Sequence, residues 1–272
     1  MKGVLYIVST PIGNLEDITL RALRILKEVD VIAAEDTRRS IKLLNHYGIS
    51  KPLISYWGER EKIKSEEILE RLEAGKSVAL ISDAGTPGIS DPGVVIIRKA
   101  IEKGFFVVPI PGASAITAAL SIAGLPTEEF TFIGFLPSKR NQRKKVLRDI
   151  SIERRTIVFY ESPYRILETF YDMKEIFSER RAALIKEISK IHEEVLRGTV
   201  SEILEKLKNT KIAGEYVVVL EGKTDEKKPT SDALLEVNAL MKKGLKRKEA
   251  VKKVAGAYGL SKKELYDKSL EG

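Results

Sequence analysis

The chain has 272 residues, 43% of them hydrophobic, and a formal net charge of +8. It has no cysteine and two histidines, which argues against disulfides, thiolate catalysis, redox chemistry and zinc sites, so no metal is expected. No apolar run approaches the roughly 20 residues of a membrane-spanning helix, and the run Val4 to Val8 is too short for a signal-peptide core. A cytoplasmic protein without membrane contact is therefore predicted, with a sizeable core in one large or two medium domains.

The first part of the chain alternates strand patterns with helix patterns. Helices are predicted at about 16–27, 39–47, 62–74 and 93–103, and strands at Val4–Val8, Val29–Ala34, Pro52–Tyr56, Val78–Ile81 and Phe105–Ile110. This alternation is typical of a parallel α/β sheet, and it predicts an N-terminal α/β lobe over residues 1–112.

The segment SDAGTPGISDPG, Ser82 to Gly93, follows the fourth predicted strand directly. Its glycines let a ligand approach the main chain closely, and its prolines stiffen the loop. Open α/β sheets bind their ligands at such strand ends. We therefore predict a ligand-binding loop in which Asp83 acts as an acceptor, with an acidic turn at the sheet edge as the alternative.

A second α/β lobe is predicted over residues 113–225. It begins with a helix of small residues within Pro111–Pro126, which must pack closely against a neighbour. Helices follow near 163–177 and 199–208, with strands at Phe130–Phe135, Thr156–Glu161, Ala182–Glu187 and Tyr216–Glu221. His192 precedes two glutamates and is predicted in a solvated ion-pair turn. Two such lobes would form a cleft.

The C-terminal segment is strongly basic. From Lys227 onward, twelve lysines and arginines face six acidic residues, so this segment carries +6 of the net charge. Asp225–Pro229 is interpreted as a linker. Helices are expected from Ser231 or Asp232 to Lys243, over Lys248–Tyr258 and over Lys262–Ser269, which predicts a helix-turn-helix-like, RNA-binding unit at 230–272. The alternative is a helical bundle for dimerisation or docking.

A second basic cluster lies on a helix predicted after Pro137 and Ser138. It comprises Lys139, Arg140, Arg143, Lys144, Lys145 and Arg148. A single cluster of this kind is often only a solvated helix face. Two clusters in one chain favour contact with nucleic acid, because neutralising phosphates is a common reason to concentrate basic residues.

Seven motifs in order along the chain resemble the tetrapyrrole-methylase superfamily, and within it the ribosomal RNA small-subunit methyltransferase I branch. They are LYIVSTPIGNLEDIT from Leu5, AEDTR from Ala34, SDAGTPGISDPG from Ser82, PGASAITAALSIAGLP from Pro111, FIGFLP from Phe132, FYESPYRI from Phe159 and GEYVVVLEG from Gly214. The basic C-terminal segment also fits this branch. The resemblance implies S-adenosylmethionine-dependent 2′-O-methylation of a cytidine ribose in the 16S ribosomal RNA of the 30S subunit, by a homodimer.

The resemblance also implies where the cofactor binds, between the two lobes. One side of the site would be lined by Pro11, Ser82, Asp83, Gly85, Thr86, Pro87, Ile89 and Ser114, and the other would be closed by Tyr160, Gly214 and Glu215 of the second lobe. The chain lacks the GxGxxG signature of dinucleotide-binding folds and the Walker lysine motif. An ordinary Rossmann methyltransferase or dehydrogenase is therefore not expected.

Methyl transfer to a hydroxyl is an in-line displacement, for which alignment in a dry cleft supplies much of the acceleration. A base at a strand end would assist, and the candidates are Glu35, Asp36, Glu161, Lys186 and Glu187. The sequence does not choose among them, and ion pairs or helix caps are alternative roles. Contacts to RNA are predicted for Arg38, Lys139, Arg140, Arg143, Lys144, Arg165, Lys252, Lys253, Lys262 and Lys263.

Two rival functions are considered. A precorrin or corrin C-methyltransferase would share the lobes and loops, but it would not need the two basic clusters. A non-enzymatic ribosome-assembly factor would explain the basic clusters, but it would leave the stiff glycine-proline loops without a role. The charge distribution therefore favours an RNA methyltransferase.

Overall fold

A computed structural model describes residues 3–58, 61–177, 179–224 and 231–270. The chain divides into two compact units, Met1–Glu221 and Gly222–Gly272. The predicted linker Asp225–Pro229 lies outside the described residues. Among the residues described, no helix combines the length and the apolar character needed to cross a membrane.

The first sheet of the first unit is parallel, as predicted. Its strands, in the order β3-β2-β4-β1-β5, are β1 (Val4–Val8), β2 (Val31–Ala34), β3 (Leu53–Ser55), β4 (Val78–Ile81) and β5 (Phe106–Ile110). The helices between them are α1 (Leu20–Glu28), α2 (Thr37–His46), α3 (Glu61–Glu73) and α4 (Val94–Glu102). Apolar clusters cover both faces, with α1 and α2 on one side and α3 and α4 on the other. The carboxyl ends of all five strands consequently lie at one edge.

The first helix begins later than the periodicity indicates. Asn14 caps a separate 3-10 turn, Leu15–Asp17, by accepting a hydrogen bond from the Glu16 amide. Thr19 then caps α1, because its hydroxyl accepts from the Ala22 amide. Two consecutive caps therefore divide the predicted helix 16–27 into a turn and a shorter helix.

The second sheet of the first unit is mixed. Its strands, in the order β6-β7-β10-β8-β9, are β6 (Phe130–Phe135), β7 (Thr156–Glu161), β8 (Arg181–Lys186), β9 (Glu194–Thr199) and β10 (Tyr216–Leu220). β6 and β7 are parallel, while β10 runs antiparallel to β7 and β8. The helices are α5 (Ala115–Ala123), α6 (Arg140–Asp149), α7 (Ile166–Phe177) and α8 (Val200–Lys208).

The small-residue helix α5 packs against one face of the second sheet. Ile116, Ala119 and Leu120 contact the buried strand residues Val158 and Val217. Helices α6, α7 and α8 contribute to the core on the opposite face. Small side chains allow α5 to approach the sheet closely, as predicted.

Strand β9 was not predicted. It pairs antiparallel with β8 from Arg181↔Thr199 to Lys186↔Glu194, so Glu194 is part of a strand rather than of an ion-pair turn. The reason is its composition: EVLRGT lies at the sheet edge, is only partly buried and contains a glycine. His192 lies in the turn before it.

The second unit contains the three predicted helices. They are α9 (Ser231–Lys242), α10 (Arg247–Tyr258) and α11 (Lys262–Lys268), around a core that includes Val237, Val254 and Leu265. Gly259 ends α10 in the left-handed conformation with φ of 64°. Ser261 caps α11 by accepting from the Glu264 amide.

Candidate functional site

The loops after β1 and β4 are bonded to each other at the carboxyl edge of the first sheet. The Thr10 amide donates to the Gly85 carbonyl at 2.8 Å, and the Gly85 amide donates to the Thr10 carbonyl at 3.1 Å. The Ser9 and Thr86 hydroxyls lie 2.7 Å apart. Gly85 has φ of 77°, and a β-carbon there would meet only Ile12, at 3.6 Å. A ligand therefore has access to the Gly85 main chain.

A cavity of about 440 Å³ is lined by these loops of the first sheet and by strands and loops of the second sheet. Its volume falls in the range of about 300–1,000 Å³ common for ligand sites. Its apolar lining comprises Ile12, Ile89, Ile116, Phe135, Ile188 and Val217, and its polar lining includes Thr86, Ser90, Asp91, Ser114, Ser162, Lys190 and Glu215. An apolar cavity with a few polar groups is suited to an organic cofactor.

The predicted cofactor residues divide into two groups. Those that line the cavity are Gly85, Thr86, Ile89, Ser114, Tyr160 and Glu215, while Pro11, Ser82, Asp83, Pro87 and Gly214 are not part of the lining. Ser82 is buried, and its hydroxyl bonds to the Ala84 and Gly85 carbonyls at 3.3 and 3.4 Å. Ser82 therefore shapes the loop from within.

Asp83 and Asp36 form a polar cluster where β2 and β4 end. Asp83 accepts a hydrogen bond from the Asp36 amide at 3.1 Å and pairs with Arg39 at 3.2 Å. Asp36 caps α2 and holds the Arg38 side chain, with Oδ2 2.8 Å from Nη2. The hydrogen bonds from the Arg38 side chain and amide lower the pKa of Asp36 to about 2. Asp36 is therefore a weak base, which argues against its predicted catalytic role.

Glu161 lines the cavity but both of its oxygens are engaged. Its Oε1 accepts from the Ser162 amide at 2.8 Å and lies 2.7 Å from Arg165 Nη2. Its Oε2 accepts from the Thr169 hydroxyl at 2.8 Å, and the residue is 1% exposed. These contacts favour a role in fixing the start of α7 over the predicted role as a base.

Lys186 ends β8 and Glu187 follows it, and neither is among the lining residues. Lys186 Nζ lies 3.6 Å from Glu194 Oε2 across the β8–β9 pair. Glu187 Oε1 accepts from the Glu215 amide and from Lys190 Nζ, both at 2.8 Å. Through these hydrogen bonds, Glu187 holds Lys190 and Glu215, two residues of the cavity lining, in place.

Asp91 is a lining residue that the sequence analysis did not select, although it belongs to the glycine-proline loop. Burial, reinforced by the negative charge of Glu35 and only partly offset by a hydrogen bond with Ser82, raises the pKa of Asp91 to about 6. Burial and the charge of Asp91 also raise the pKa of Tyr160 to about 12. The sequence feature that could have identified Asp91 is its position as the second aspartate of SDAGTPGISDPG.

The basic cluster on α6 differs from the prediction. Arg143 is fully buried, and its Nη2 lies 2.8 Å from Asp172 Oδ2, so its predicted contact with RNA is wrong for this conformation. Arg140 also pairs with Asp172, at 2.9 Å, and Lys144 pairs with Glu175. Helix α6 therefore uses part of its charge to bind α7.

The other predicted RNA contacts of the first unit differ in exposure. Lys139 is exposed at the start of α6. The Arg38 side chain is 88% exposed beside Asp36. Arg165 is largely buried, pairing with Glu161 and donating to the Leu136 carbonyl at 3.2 Å.

A basic groove lies between α10 and α11 of the second unit. Its volume is about 270 Å³, and its lining comprises Lys248, Val251, Lys252, Lys262, Lys263, Tyr266 and Asp267. Three predicted RNA contacts thus converge on one groove, while the fourth, Lys253, is exposed but is not among the lining residues. Four ammonium groups beside an aromatic ring suit a phosphodiester chain.

The family model described as Tetrapyrrole (Corrin/Porphyrin) Methylases matches residues 4–204. The chain belongs to this family. Ribosomal RNA small subunit methyltransferase I of Halalkalibacterium halodurans is 43% identical over 98% of this chain and 94% of its own length. The protein of the same name from Thermotoga maritima is 48% identical over 81% of this chain and 99% of its own length. These relatives confirm the resemblance to that branch and identify the chain as a methyltransferase.

The family fold is also found among solved structures. A uroporphyrin-III C-methyltransferase from Thermus thermophilus, in complex with S-adenyl homocysteine, aligns with a TM-score of 0.56 and 18% identity. The alignment covers 81% of this chain and 97% of that one. Two α/β sheets in one unit are therefore the shared architecture.

S-adenosylmethionine fits the residues of the cavity. The missing β-carbon at Gly85 exposes main-chain groups to the adenosine or amino-acid part, and the isoleucines supply an apolar surface. The hydroxyls of Thr86 and Ser114 can form hydrogen bonds with the polar ends of the ligand. Among the described residues, no group of three or more histidine, cysteine, aspartate or glutamate side chains is arranged to hold a metal ion.

Proposed function

We propose that the chain transfers a methyl group from S-adenosylmethionine to the 2′-hydroxyl of a cytidine ribose in 16S ribosomal RNA. The observation that carries the proposal is the apolar cavity at the carboxyl edge of the first sheet, in a chain whose relatives are named ribosomal RNA small subunit methyltransferase I. The likeness to the uroporphyrin enzyme, at 18% identity, supports the fold and not a tetrapyrrole substrate.

The cofactor is proposed to contact the six predicted residues that line the cavity. Main-chain groups near Gly85 and Thr86 would bind its polar ends, and Ile89 and Tyr160 would flank it. Asp83 and Ser82 are proposed to act through the shape of the loop, because their hydrogen bonds are made within it or to α2.

The RNA is proposed to reach the enzyme as part of the 30S subunit, in the cytoplasm. The groove lysines Lys252, Lys262 and Lys263 would bind phosphates, and exposed Arg38 and Lys139 would add contacts on the first unit.

A homodimer is the proposed assembly. Edge strand β5 exposes Phe106 to 71%, and Ile101 of α4 is 60% exposed nearby in the sequence. Large apolar side chains at a sheet edge are typical of a protein interface. Sedimentation velocity of the purified chain over a range of concentrations tests this state, and a monomer throughout would contradict it.

The experiment for the activity measures transfer of tritium from methyl-labelled S-adenosylmethionine. Thirty-S subunits and uroporphyrinogen III are offered separately, and digestion with mass spectrometry identifies the methylated nucleoside. We expect 2′-O-methylcytidine and no labelled tetrapyrrole. Label only in the tetrapyrrole would establish the rival activity, and label in neither would contradict both.

A matched pair of variants connects the activity to the cavity. Ala115→Trp places an indole at a lining residue of α5, whereas Thr117→Trp places one on the exposed side of the same helix. We expect at least about a tenfold loss of cofactor affinity in the first variant only, because the indole competes for the cavity volume. Calorimetry measures both.

A further inference from the structure

Asp91 occupies a special position in the loop after β4. The preceding residue, Ser90, has φ of 62°, a left-handed conformation that is unfavourable for serine. Ser90 Oγ lies 3.1 Å from the position of a β-carbon at Gly134, in the bulge of β6. Both Ser90 and Asp91 line the cavity. The backbone of the loop is therefore strained at the residue directly before Asp91, whose carboxylate faces the cavity.

The other acidic and basic side chains that line the cavity are already paired. Glu161 binds Arg165, Thr169 and a main-chain amide, as described above. Lys190 and Glu215 pair with each other at 3.0 Å. The raised pKa of Tyr160, about 12, keeps its hydroxyl protonated at neutral pH.

Asp91 is hydrogen-bonded to Ser82 but has no charged partner. Within residues 3–58, 61–177, 179–224 and 231–270, no lysine or arginine forms an ion pair with it. The titratable groups that face it are Glu35 directly after β2, Asp83 in its own loop and the neutral phenol of Tyr160 on β7. Arg39, the nearby cation, is paired with Asp83. An unpaired, half-buried carboxylate among acidic neighbours favours binding a proton.

We infer that Asp91 is the general base of the reaction and accepts the proton of the attacking ribose hydroxyl. This inference rests on the proposed function. The ribose oxygen forms a bond to the methyl carbon while the carbon–sulfur bond breaks. The electron pair of the broken carbon–sulfur bond stays on sulfur. The hydroxyl proton passes to the Asp91 carboxylate and then to solvent. A pKa of about 6 keeps Asp91 ionised at neutral pH while leaving it basic enough to accept a proton.

The first test compares the full-length wild-type chain with Asp91→Asn on 30S subunits. We expect kcat to fall by about 10²- to 10⁴-fold, the usual contribution of a general base. The dissociation constant of S-adenosylmethionine, measured by calorimetry, should stay within about threefold, because asparagine is isosteric with aspartate and the lost contact is made to the hydroxyl. A parallel loss of cofactor affinity would overturn the inference and make Asp91 a cofactor ligand.

The second test uses pH. The wild-type kcat/KM, which reports groups of the free enzyme, should rise with pH and level off above about 6, and this acidic limb should be absent in Asp91→Asn. Glu35→Gln removes a neighbouring negative charge, so the limb should move to lower pH. An acidic limb that is identical in wild type and Asp91→Asn would contradict the inference.

A measurement on the cofactor-free protein provides an independent readout. Carbon-13 NMR of aspartate-labelled protein follows the Asp91 carboxyl, assigned by its absence in Asp91→Asn. We expect a midpoint near pH 6 that falls in Glu35→Gln; a midpoint near 4 would overturn the inference. If the wild-type chain methylates 30S subunits and Asp91→Asn is equally active, the role of Asp91 as general base is contradicted, while the proposed function is not. A wild-type chain inactive on 30S subunits contradicts the proposed function, and with it the hydroxyl that Asp91 would deprotonate.

Discussion

Arg143 and Asp172 form an ion pair in which neither side chain is exposed to solvent, with Nη2 and Oδ2 2.8 Å apart. This pair joins α6 to α7 on one face of the second sheet. Arg143 Nη1 is buried without a hydrogen-bond partner. The compensation of the buried Arg143 charge is therefore sensitive to any substitution in the pair. Removing one partner would leave the other charged and buried.

We therefore expect Asp172→Leu to lower the free energy of unfolding by about 3–5 kcal/mol, measured by urea denaturation. Adding Arg143→Met should recover at least about half of this loss, since two apolar side chains leave no buried charge. Arg148→Met, on the exposed side of α6, is the control and should stay within about 0.5 kcal/mol of wild type. A double variant as unstable as Asp172→Leu would show that the charge is not the cause.

Gly214 and Glu187 are in close contact at the wall of the cavity. A β-carbon at Gly214 would lie 2.4 Å from Glu187 Cγ, and φ at Gly214 is 81°. Gly214→Ala should therefore lower stability by about 1–3 kcal/mol and weaken cofactor binding, because Glu187 also holds the Glu215 amide. Gly256→Ala in α10 is the matched control, with no atom within 4 Å of the new methyl group.

The control should be stabilised by about 0.5–1 kcal/mol, because alanine favours a helix. Thermal denaturation and calorimetry with S-adenosylmethionine measure both variants. Unchanged cofactor affinity in Gly214→Ala would contradict a role for Glu187 in shaping the cavity wall.

The basic groove of the second unit predicts a salt-dependent RNA affinity. Replacing Lys252, Lys262 and Lys263 by alanine should weaken binding of a 16S RNA fragment and make the dependence of log K on log salt shallower by about 2–3, roughly one unit per lost phosphate contact. The charge-matched control replaces Lys27, Lys62 and Lys76 of the first unit. Fluorescence anisotropy at several salt concentrations measures both.

Cofactor affinity should be unchanged in both triple variants, because neither set lines the cavity. Equal loss of RNA affinity in the control would mean that net charge, rather than the groove, determines binding.

Asp91 should make stability depend on pH in a direction unusual for a carboxylate. Its pKa in the folded chain, about 6, lies above the unfolded value of about 3.9, so the penalty for its ionisation is absent below pH 4 and complete above pH 6. Asp91→Asn should therefore gain about 1 kcal/mol at pH 8, allowing for partial exposure, and nothing at pH 4. Urea denaturation at the two pH values measures the difference.

Asp30 provides the opposite control. Hydrogen bonds from the Ser77 amide and hydroxyl lower the pKa of Asp30, so its ionised form stabilises the fold above the unfolded pKa. Asp30→Asn should lose stability at pH 8 and lose progressively less as the pH falls below 4. The same sign for both variants at pH 8 would contradict the assignment of Asp91.

The sequence predicted the sheets and the loops of the site because strand patterns and glycine-proline segments are local. The direction of side chains within the loop depends on contacts that form only in the folded chain. Examples are the left-handed conformation at Ser90 and the bonds between Asp83 and the start of α2. The sequence therefore indicated Asp83, and not Asp91, as the functional residue of the loop. The burial of Arg143 could have been predicted from the sequence. Arg143 lies four residues before buried Leu147 and therefore on the same face of α6.

Tyr160, a residue of the cavity lining, contacts Phe132 and Phe135 through its ring, with centroids 5.1 and 5.4 Å away. The hydroxyl, with its raised pKa, is a poor proton acceptor at neutral pH. We therefore expect Tyr160→Phe to keep the dissociation constant of S-adenosylmethionine within about threefold, and Tyr160→Ala to raise it by about tenfold or more, since an aromatic wall of the site is lost. Calorimetry at neutral pH measures both variants, and circular dichroism checks that β7 remains folded. Equal losses in the two variants would assign the binding energy to the hydroxyl, and no loss in either would place the cofactor away from this wall.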